Sequence, residues 1–265
     1  MATLVVLSPV LGRAATPVSV LYAGSLVTTM EGPIKASLAA KGIEFQGQGA
    51  GSKMLANLIA SGVKTPDVFI SVDPSLVLGL GAKVASASTF ASTSLGVGWS
   101  NSSKEASLFA NVAAGKETLL HALQTPGLVI GRTDPKLDPK GVYTVAAMTM
   151  LAGAAGEKSI LGSDENSAQI FPEEDLLARI DTGQADVGFF YKTEATARGL
   201  HFVALPGAAA MSYQITYTIA VMKGAPHPDQ AYAFAQFILS GEGKAIFQQA
   251  GVEYLSTPRV IVGAP

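Results

Sequence analysis

The chain has 265 residues, of which 48% are hydrophobic and 14% are charged. This length suits two lobes on one chain, and the composition predicts a large folded core and excludes extensive disorder. The 18 Lys and Arg against 20 Asp and Glu give a net charge of -2, so the chain lacks the broad basic surface of a nucleic-acid-binding protein.

The first predicted segment is an export signal. Residues 2–12 are a short apolar stretch, followed by Arg13 and the small residues Ala14 and Ala15. That pattern suits the apolar region and cleavage site of a secretory signal, although a disordered tail or an extra strand is the alternative interpretation. We therefore interpret residues 1–16 as the remnant of a signal peptide, with the mature chain beginning near Thr16 or Pro17.

The next part of the chain alternates between strand and helix patterns. The predicted elements are a strand at 18–22, a turn at 23–25, a helix at 26–40, a strand at 43–46, a glycine-rich turn at 47–52, a helix at 53–61 and a strand at 67–71. Three strands joined by two helices in about 55 residues are typical of a parallel α/β sheet with right-handed crossovers.

A second α/β unit follows, and the chain then returns to the first. Its predicted elements are a strand at 128–131, a loop at 134–141, a helix at 142–155, a helix from Pro172, a strand at 186–191, a strand at 213–222, and helices at 228–239 and 241–250. We predict one lobe from residues 17–95 and 205–265 and a second from 96–204. Ligands of open α/β sheets bind at the carboxyl ends of the strands, which here places a ligand cleft between the lobes.

Few residues in this sequence are suited to metal or acid–base chemistry. Cysteine is absent, which excludes disulfides, thiolate metal sites and cysteine nucleophiles. The histidines, His121, His201 and His227, are too scattered to predict a metal cluster. We therefore expect function to depend on oxygen ligands and backbone groups.

Two turns repeat the letters Ala-Gly-Ser and end at Ser25 and Ser52, each between a strand and a helix. Glycine lets a ligand approach the backbone closely, and the free N–H groups at a helix start favour an anion. A serine there is often only an N-cap. Two such turns at equivalent positions favour a shared oxyanion site and simple capping equally.

Three residues of the second unit are further candidates. Asp138 and Glu173 each lie beside a proline, and their ordinary roles would be surface solvation and complementing a helix dipole. Tyr191 ends an apolar strand, as either a core residue or a donor in the cleft. Neither serine lies in a Gly-x-Ser-x-Gly elbow, so a serine hydrolase is disfavoured. Residues 47–53 do not match the phosphate-binding loop of nucleotide-binding proteins, which needs Gly-Lys-Ser/Thr.

Taken together and in order, these motifs resemble the molybdate/tungstate-binding proteins of ABC importers. The resemblance rests on Tyr22-Ala-Gly-Ser-Leu26, Gly49-Ala-Gly-Ser52, the strand 67–71 with Val72-Asp73, the loop 134–141 and the strand 186–191. It covers most of the predicted mature chain. It is most similar to the archaeal-type receptors, whose loop also contains Leu-Asp-Pro.

The resemblance implies an α/β, two-lobed periplasmic-binding-protein fold of type II, with the ligand cleft between the lobes. It implies that the hydroxyls of Ser25, Ser52 and Tyr191 donate to the anion, together with backbone N–H groups near Lys140 and Glu173. In archaeal-type members two carboxylates coordinate the metal of the anion, and by motif these are Asp138 and Glu173, with Glu174 as the alternative to the second. The chain departs from that pattern at Lys140, where members usually have cysteine, and at Phe190, where some have glutamate.

The implied function is that of an extracytoplasmic solute-binding protein, not an enzyme. It would capture molybdate or tungstate as a monomer without a cofactor, on the periplasmic or extracellular face of the membrane, and deliver the anion to an ABC-transporter permease. The alternatives are a receptor for another anion or small solute such as sulfate, and a hydrolase using Ser52 or the Asp138 and Glu173 pair. A cytoplasmic regulator would need a DNA-binding unit, and the sequence shows no basic helix-turn-helix segment.

Overall fold

The computed structural model describes residues 16–263, with the exception of the Glu174 side chain. The predicted signal segment, apart from Thr16, lies outside the described residues. In this range the strands are β1 (Thr16–Ala23), β2 (Ile43–Ala50), β3 (Val68–Ser71), β4 (Val84–Ser92), β5 (Leu95–Trp99), β6 (Ile130–Gly131), β7 (Val187–Tyr191), β8 (His201–Ala204), β9 (Thr216–Met222) and β10 (Glu253–Val262). They form two sheets.

The first sheet has six strands in the order β10-β4-β9-β3-β1-β2. Strand β1 pairs in parallel with β2 and β3, which confirms the predicted parallel start of the chain. The remaining pairs, β3 with β9, β9 with β4 and β4 with β10, are antiparallel. The sheet is therefore mixed, because later segments of the chain return to it in the opposite direction.

The second sheet has four strands in the order β6-β7-β5-β8. Strand β5 is antiparallel to β7 and β8, while β6 is parallel to β7. We call the part of the chain around the six-stranded sheet lobe 1 and the part around the four-stranded sheet lobe 2. The chain passes to lobe 2 between β4 and β5 and returns before β9. The exact residue boundaries given above for the lobes stay predictions.

Helices cover both sheets. They are α1 (Val27–Thr29), α2 (Lys35–Ala40), α3 (Ser52–Ala60), α4 (Pro74–Leu78), α5 (Ala106–Ala113), α6 (Leu119–Leu123), α7 (Pro139–Leu161), α8 (Glu173–Asp181), α9 (Lys192–Arg198), α10 (Pro228–Leu239) and α11 (Gly241–Gln249). The predicted helix at 26–40 is interrupted by a π-helical turn containing Pro33, which lacks a backbone N–H. None of the described helices has the length and apolarity to cross a membrane.

Two predicted boundaries near the cleft are wrong. Helix α7 begins at Pro139 rather than at residue 142, because the Asp138 carboxylate caps it by accepting a hydrogen bond from the backbone N–H of Lys140 at 2.9 Å. Strand β2 runs to Ala50, so residues 47–50 are strand and not turn. Gly49 lies in this strand opposite Tyr22, whose ring occupies the space that a side chain at position 49 would need.

Candidate functional site

The two Ala-Gly-Ser turns lie side by side in lobe 1. Ala23 and Ala50 are paired residues at the carboxyl ends of β1 and β2, so the turns that follow them are neighbours. Ser25 lies in a 3-10 turn and Ser52 is the first residue of α3. Neither serine caps its helix with its side chain, so the interpretation as simple N-caps is wrong.

Both serine hydroxyls are buried and hydrogen-bonded within lobe 1. The Ser52 oxygen accepts a hydrogen bond from the backbone N–H of Val72 at 3.2 Å. The Ser25 oxygen lies 3.0 Å from the hydroxyl oxygen of Tyr217, which is on β9. Each hydroxyl is therefore held in place by a neighbour on another segment of the chain.

The opposite face of the cleft belongs to lobe 2 and carries two carboxylates. Asp138 precedes α7, and Glu173 is the first residue of α8. Each residue is only 7% exposed, so the interpretation of Asp138 as a solvated surface residue is wrong. This face of the cleft therefore has two buried carboxylates, each at the start of a helix.

Each carboxylate residue meets one of the glycines in the lobe 1 turns. A Cβ atom on Gly24 would collide with Oε2 of Glu173. A Cβ atom on Gly51 would lie 2.8 Å from the carbonyl oxygen of Leu137 and 3.3 Å from Cβ of Asp138. The backbone N–H of Met54 also donates to the Leu137 carbonyl at 3.1 Å. The two lobes are thus in contact where the candidate residues lie.

A cavity of about 230 Å³ borders this contact. Both lobes line it, with Gly51 and Met54 on one side and Leu137, Asp138, Phe171 and Glu173 on the other. The other predicted site residues are buried and do not line the cavity; they are Ser25, Ser52, Lys140 and Tyr191. A solute entering through the cavity would reach the carboxylates of Asp138 and Glu173.

Lys140 contributes a buried charge in addition to its backbone. Its Nζ lies 2.8 and 2.9 Å from the two carboxylate oxygens of Glu194 and 3.5 Å from Oε1 of Glu173. Burial lowers the pKa of Lys140, but the charges of Glu173, Glu194 and Asp138 more than offset this and raise the pKa above its ordinary value. The side chain is therefore an ammonium ion. The backbone N–H predicted to reach the anion donates instead to Asp138.

Glu194 is a residue of this region that the sequence-based prediction missed. Besides binding Lys140, its Oε1 accepts a hydrogen bond from the backbone N–H of Tyr191 at 2.7 Å. It therefore holds two predicted site residues at once. The available signal was its place three residues after the end of a strand, where an acidic residue completes a capping box.

Tyr191 lies at the end of β7 and is 1% exposed. Its hydroxyl has no hydrogen-bond partner among the described residues. Burial, with the nearby charge of Asp138, raises the pKa of Tyr191 well above its ordinary value. The hydroxyl therefore keeps its proton and is a donor.

The pKa of Asp138 is raised above its ordinary value. Burial and the charge of Glu173 raise it to about 6, although Lys140 acts in the opposite direction through its charge and its backbone N–H. The carboxylate pair is therefore an unfavourable place for a further negative charge. Within residues 16–263, no three His, Cys, Asp or Glu side chains cluster as a site for a metal ion.

Residues 18–253 match the family of bacterial extracellular solute-binding proteins. The chain belongs to this family. Its members are solute-binding transport proteins rather than enzymes. The two-lobed architecture described above agrees with this membership.

Known relatives and structures agree with the family. A Haloferax volcanii protein with the provisional name ABC transporter molybdenum-binding protein is 26% identical over 253 residues, covering 96% of this solute-binding protein and 76% of that relative. The molybdate/tungstate-binding protein WtpA of Thermococcus kodakarensis is 22% identical over 272 residues, covering 84% and 76%. The periplasmic molybdate-binding protein of Azotobacter vinelandii superposes with a TM-score of 0.67 at 18% identity, covering 91% and 98%. The last comparison establishes the two-lobed periplasmic-binding-protein fold.

Proposed function

We propose that this solute-binding protein captures molybdate or tungstate in the cleft and delivers it to the membrane permease of an ABC importer. Delivery would take place on the periplasmic or extracellular face of the membrane. The names of the Haloferax and Thermococcus relatives support the choice of ligand. The protein would act as a monomer, with the anion as its only small-molecule partner.

The observation that carries the proposal is the pairing of each Gly-Ser turn with a carboxylate residue of the other lobe. Gly24 faces Glu173, and Gly51 faces Asp138. Hydroxyl and backbone N–H donors suit the oxygens of any oxyanion. Two buried carboxylates would repel an ordinary dianion, because like charges interact strongly in a low dielectric.

Molybdate and tungstate differ from sulfate in a way that resolves this repulsion. Their metal centres accept additional oxygen ligands, whereas sulfur in sulfate does not expand its coordination. We propose that Asp138 and Glu173 coordinate the metal, while the hydroxyls of Ser25, Ser52 and Tyr191 donate to the oxygens. The carboxylates would then select the ligand by repelling anions, such as sulfate, whose central atom cannot bind carboxylate oxygens.

The ammonium of Lys140 would reduce the cost of bringing the anion to this pair. It lies 3.5 Å from Glu173 and is held by Glu194. At the position where the archaeal-type receptors that the sequence resembles usually have cysteine, this chain places a buried positive charge. We therefore assign Lys140 a side-chain role in the site, in place of the backbone contact expected from its sequence.

A hydrolase using Ser52 or the carboxylate pair is a weaker candidate. The Ser52 oxygen accepts a hydrogen bond from the Val72 backbone, an arrangement that does not activate a nucleophile. The histidines bind other groups: His121 pairs with Glu117, His201 with Asn101 and His227 with Asp67. Within the described residues, no histidine is therefore placed to act as a base for Ser52.

Isothermal titration of the full, anion-stripped chain with tungstate, molybdate, sulfate and phosphate tests the proposal. We expect tight binding of tungstate and molybdate and no heat from sulfate or phosphate at the same concentrations. Binding of sulfate with equal or greater affinity would contradict selection by carboxylates and support the receptor for another anion. Absence of binding by all four would contradict the oxyanion receptor.

A further inference from the structure

Tyr217 is a buried residue that the sequence pattern did not single out. It lies on β9, is fully buried, and places its hydroxyl oxygen 3.0 Å from the Ser25 oxygen. The two residues are separated by 192 positions in the chain. Only the return of the chain to lobe 1 brings them together.

The direction of this hydrogen bond decides what Ser25 can offer a ligand. A serine hydroxyl carries a single proton, and an oxyanion can only accept. If Ser25 donates its proton to Tyr217, none remains for the anion. If Tyr217 donates to Ser25, the serine proton is available.

The second serine shows which arrangement the site uses. The Ser52 oxygen is bound by the backbone N–H of Val72, a group that can only donate. The proton of Ser52 is therefore not used in that bond. Ser25 occupies the equivalent position in the neighbouring turn, and Tyr217 is the hydrogen-bond partner of Ser25 as Val72 is that of Ser52.

The surroundings of Tyr217 are consistent with a donor. Burial raises the pKa of Tyr217 well above its ordinary value, so the phenol keeps its proton. The nearby carboxylates of Glu194 and Glu173 act on the pKa in the same direction, and together these effects outweigh the opposing hydrogen bonds. The hydroxyl of Thr193 is a second hydrogen-bond partner of Tyr217, so the neutral phenol has two acceptors for its one proton, and the comparison with Ser52 favours donation to Ser25.

We propose that Tyr217 is a positioning residue for anion binding: it donates its hydroxyl proton to Ser25 and directs the proton of Ser25 toward the ligand. This inference rests on the proposed function, because it assigns Ser25 an anion to bind. Donation from tyrosine also polarises the serine hydroxyl, which strengthens the bond that serine makes to the anion. Tyr217 itself does not touch the ligand.

The test is a double-mutant cycle of Tyr217→Phe and Ser25→Ala, with tungstate affinity measured by isothermal titration. The phenylalanine variant removes one oxygen atom and keeps the buried ring. We expect Tyr217→Phe to weaken tungstate binding about five- to tenfold. We expect it to cause no further loss when Ser25 is already alanine, because the oriented hydroxyl is then absent.

Tyr254→Phe is the matched control. Its hydroxyl donates to the carbonyl of Ile238 at 3.0 Å, between β10 and α10. We expect this variant to bind tungstate as the unmodified chain does. Chemical denaturation of both variants measures the cost to stability separately from the cost to binding.

The outcomes distinguish the inference from the proposed function. If the unmodified chain binds none of the oxyanions, the proposed function and the role of Tyr217 are both overturned. If it binds tungstate and Tyr217→Phe binds equally well, only the role of Tyr217 is overturned. An equal loss in the presence and absence of the Ser25 hydroxyl would also overturn it, since that is the result of a merely structural role.

Discussion

The two faces of the cleft are built from different chemical groups. Lobe 1 presents the uncharged hydroxyls of Ser25 and Ser52, each in a glycine turn and each bound by a neighbour in lobe 1. Lobe 2 presents the carboxylates of Asp138 and Glu173 beside the ammonium of Lys140. One face has short neutral donors on tight turns, and the other has buried charges whose protonation depends on one another.

This difference suggests a division of labour between the lobes. Neutral donors at helix starts are suited to any oxyanion, so they supply affinity without much choice among ligands. Burying a charge costs free energy unless a partner of the right chemistry compensates it, so the charged groups supply selectivity among ligands. Substitutions in the charged face should therefore have the largest effects, and those at the contact between the faces the smallest.

Replacing the buried ammonium tests the charged face most severely. In Lys140→Met the carboxylate of Glu194 remains buried without its ion partner. Removal of one member of a buried pair destabilises proteins by about 3–5 kcal/mol, and we expect that loss in the free energy of unfolding measured with urea. Lys136→Met is the control, because its pair with Glu165 is 62% and 76% exposed and such a pair contributes at most about 1 kcal/mol. Equal losses in the two variants would contradict a special role for the buried pair.

The pH dependence of stability examines Asp138 on the same face. Its folded pKa of about 6 lies above the ordinary value of 3.8, so the folded state holds this proton after the unfolded state has lost it. The free energy of unfolding should therefore fall as pH rises from about 4 to about 6, by about 3 kcal/mol from this group. Urea titrations of the anion-stripped protein across this range, compared with Asp138→Asn, isolate the contribution. Identical slopes in the two proteins would contradict the raised pKa.

Neutralising both carboxylates tests selection directly. In Asp138→Asn combined with Glu173→Gln, the side chains keep their size, and the asparagine can still cap α7 through its amide oxygen. We expect tungstate affinity to fall about 100-fold, or about 3 kcal/mol, because the proposed metal ligands are lost. Sulfate binding should be unchanged or stronger, because the repulsion is also lost.

The control for this double variant is Glu117→Gln, which changes a lobe 2 carboxylate paired with exposed His121. Affinity for tungstate in the control should match that of the unmodified chain. Unchanged tungstate affinity in the double variant would remove the model in which carboxylates coordinate the metal. The cleft would then bind its anion with the neutral face alone.

The candidate residues of the neutral face could be predicted from the sequence. Ser25 and Ser52 could be located because a strand, a glycine and a serine follow one another within a few residues. A local pattern of this kind can be recognised from the sequence alone. Asp138 was singled out beside a proline and by resemblance, but its role as the cap of α7 was missed, although an aspartate followed by proline is a local helix-start signal. The parallel pairing of β1 with β2 and β3 also followed from local alternation of strand and helix.

The partners of these residues could not be predicted in the same way. Lys140 and Glu194 are 54 positions apart, and Ser25 and Tyr217 are 192 positions apart. Such pairs depend on how the lobes and the returning strand pack, which no local pattern records. Strands β4 and β5 were missed for a related reason: their mostly small residues are almost continuously buried, so the alternation that marks a half-exposed strand is absent.

The smallest predicted effect concerns the contact between the two faces. Gly51→Ala places a Cβ atom 2.8 Å from the backbone carbonyl of Leu137, which cannot move without shifting the start of α7. The φ of Gly51 is -53°, so alanine fits the backbone conformation of the turn. The free energy of unfolding of the anion-free protein should therefore change by less than about 1 kcal/mol. We expect the added methyl group to hold the lobes apart and weaken tungstate binding about tenfold, or about 1.4 kcal/mol.

Gly24→Ala sharpens the same prediction, because it meets the end of a side chain rather than the backbone. The Glu173 carboxylate can rotate away from the new methyl group, so we expect a smaller loss than for Gly51→Ala. Gly241→Ala is the control, since a Cβ at that position meets no heavy atom within 4 Å. Titration with tungstate gives the ranking, and small-angle scattering with and without tungstate reports whether the lobes close. A larger loss for Gly24→Ala than for Gly51→Ala would mean that the position of the carboxylate, and not the approach of the two backbones, limits closure of the cleft.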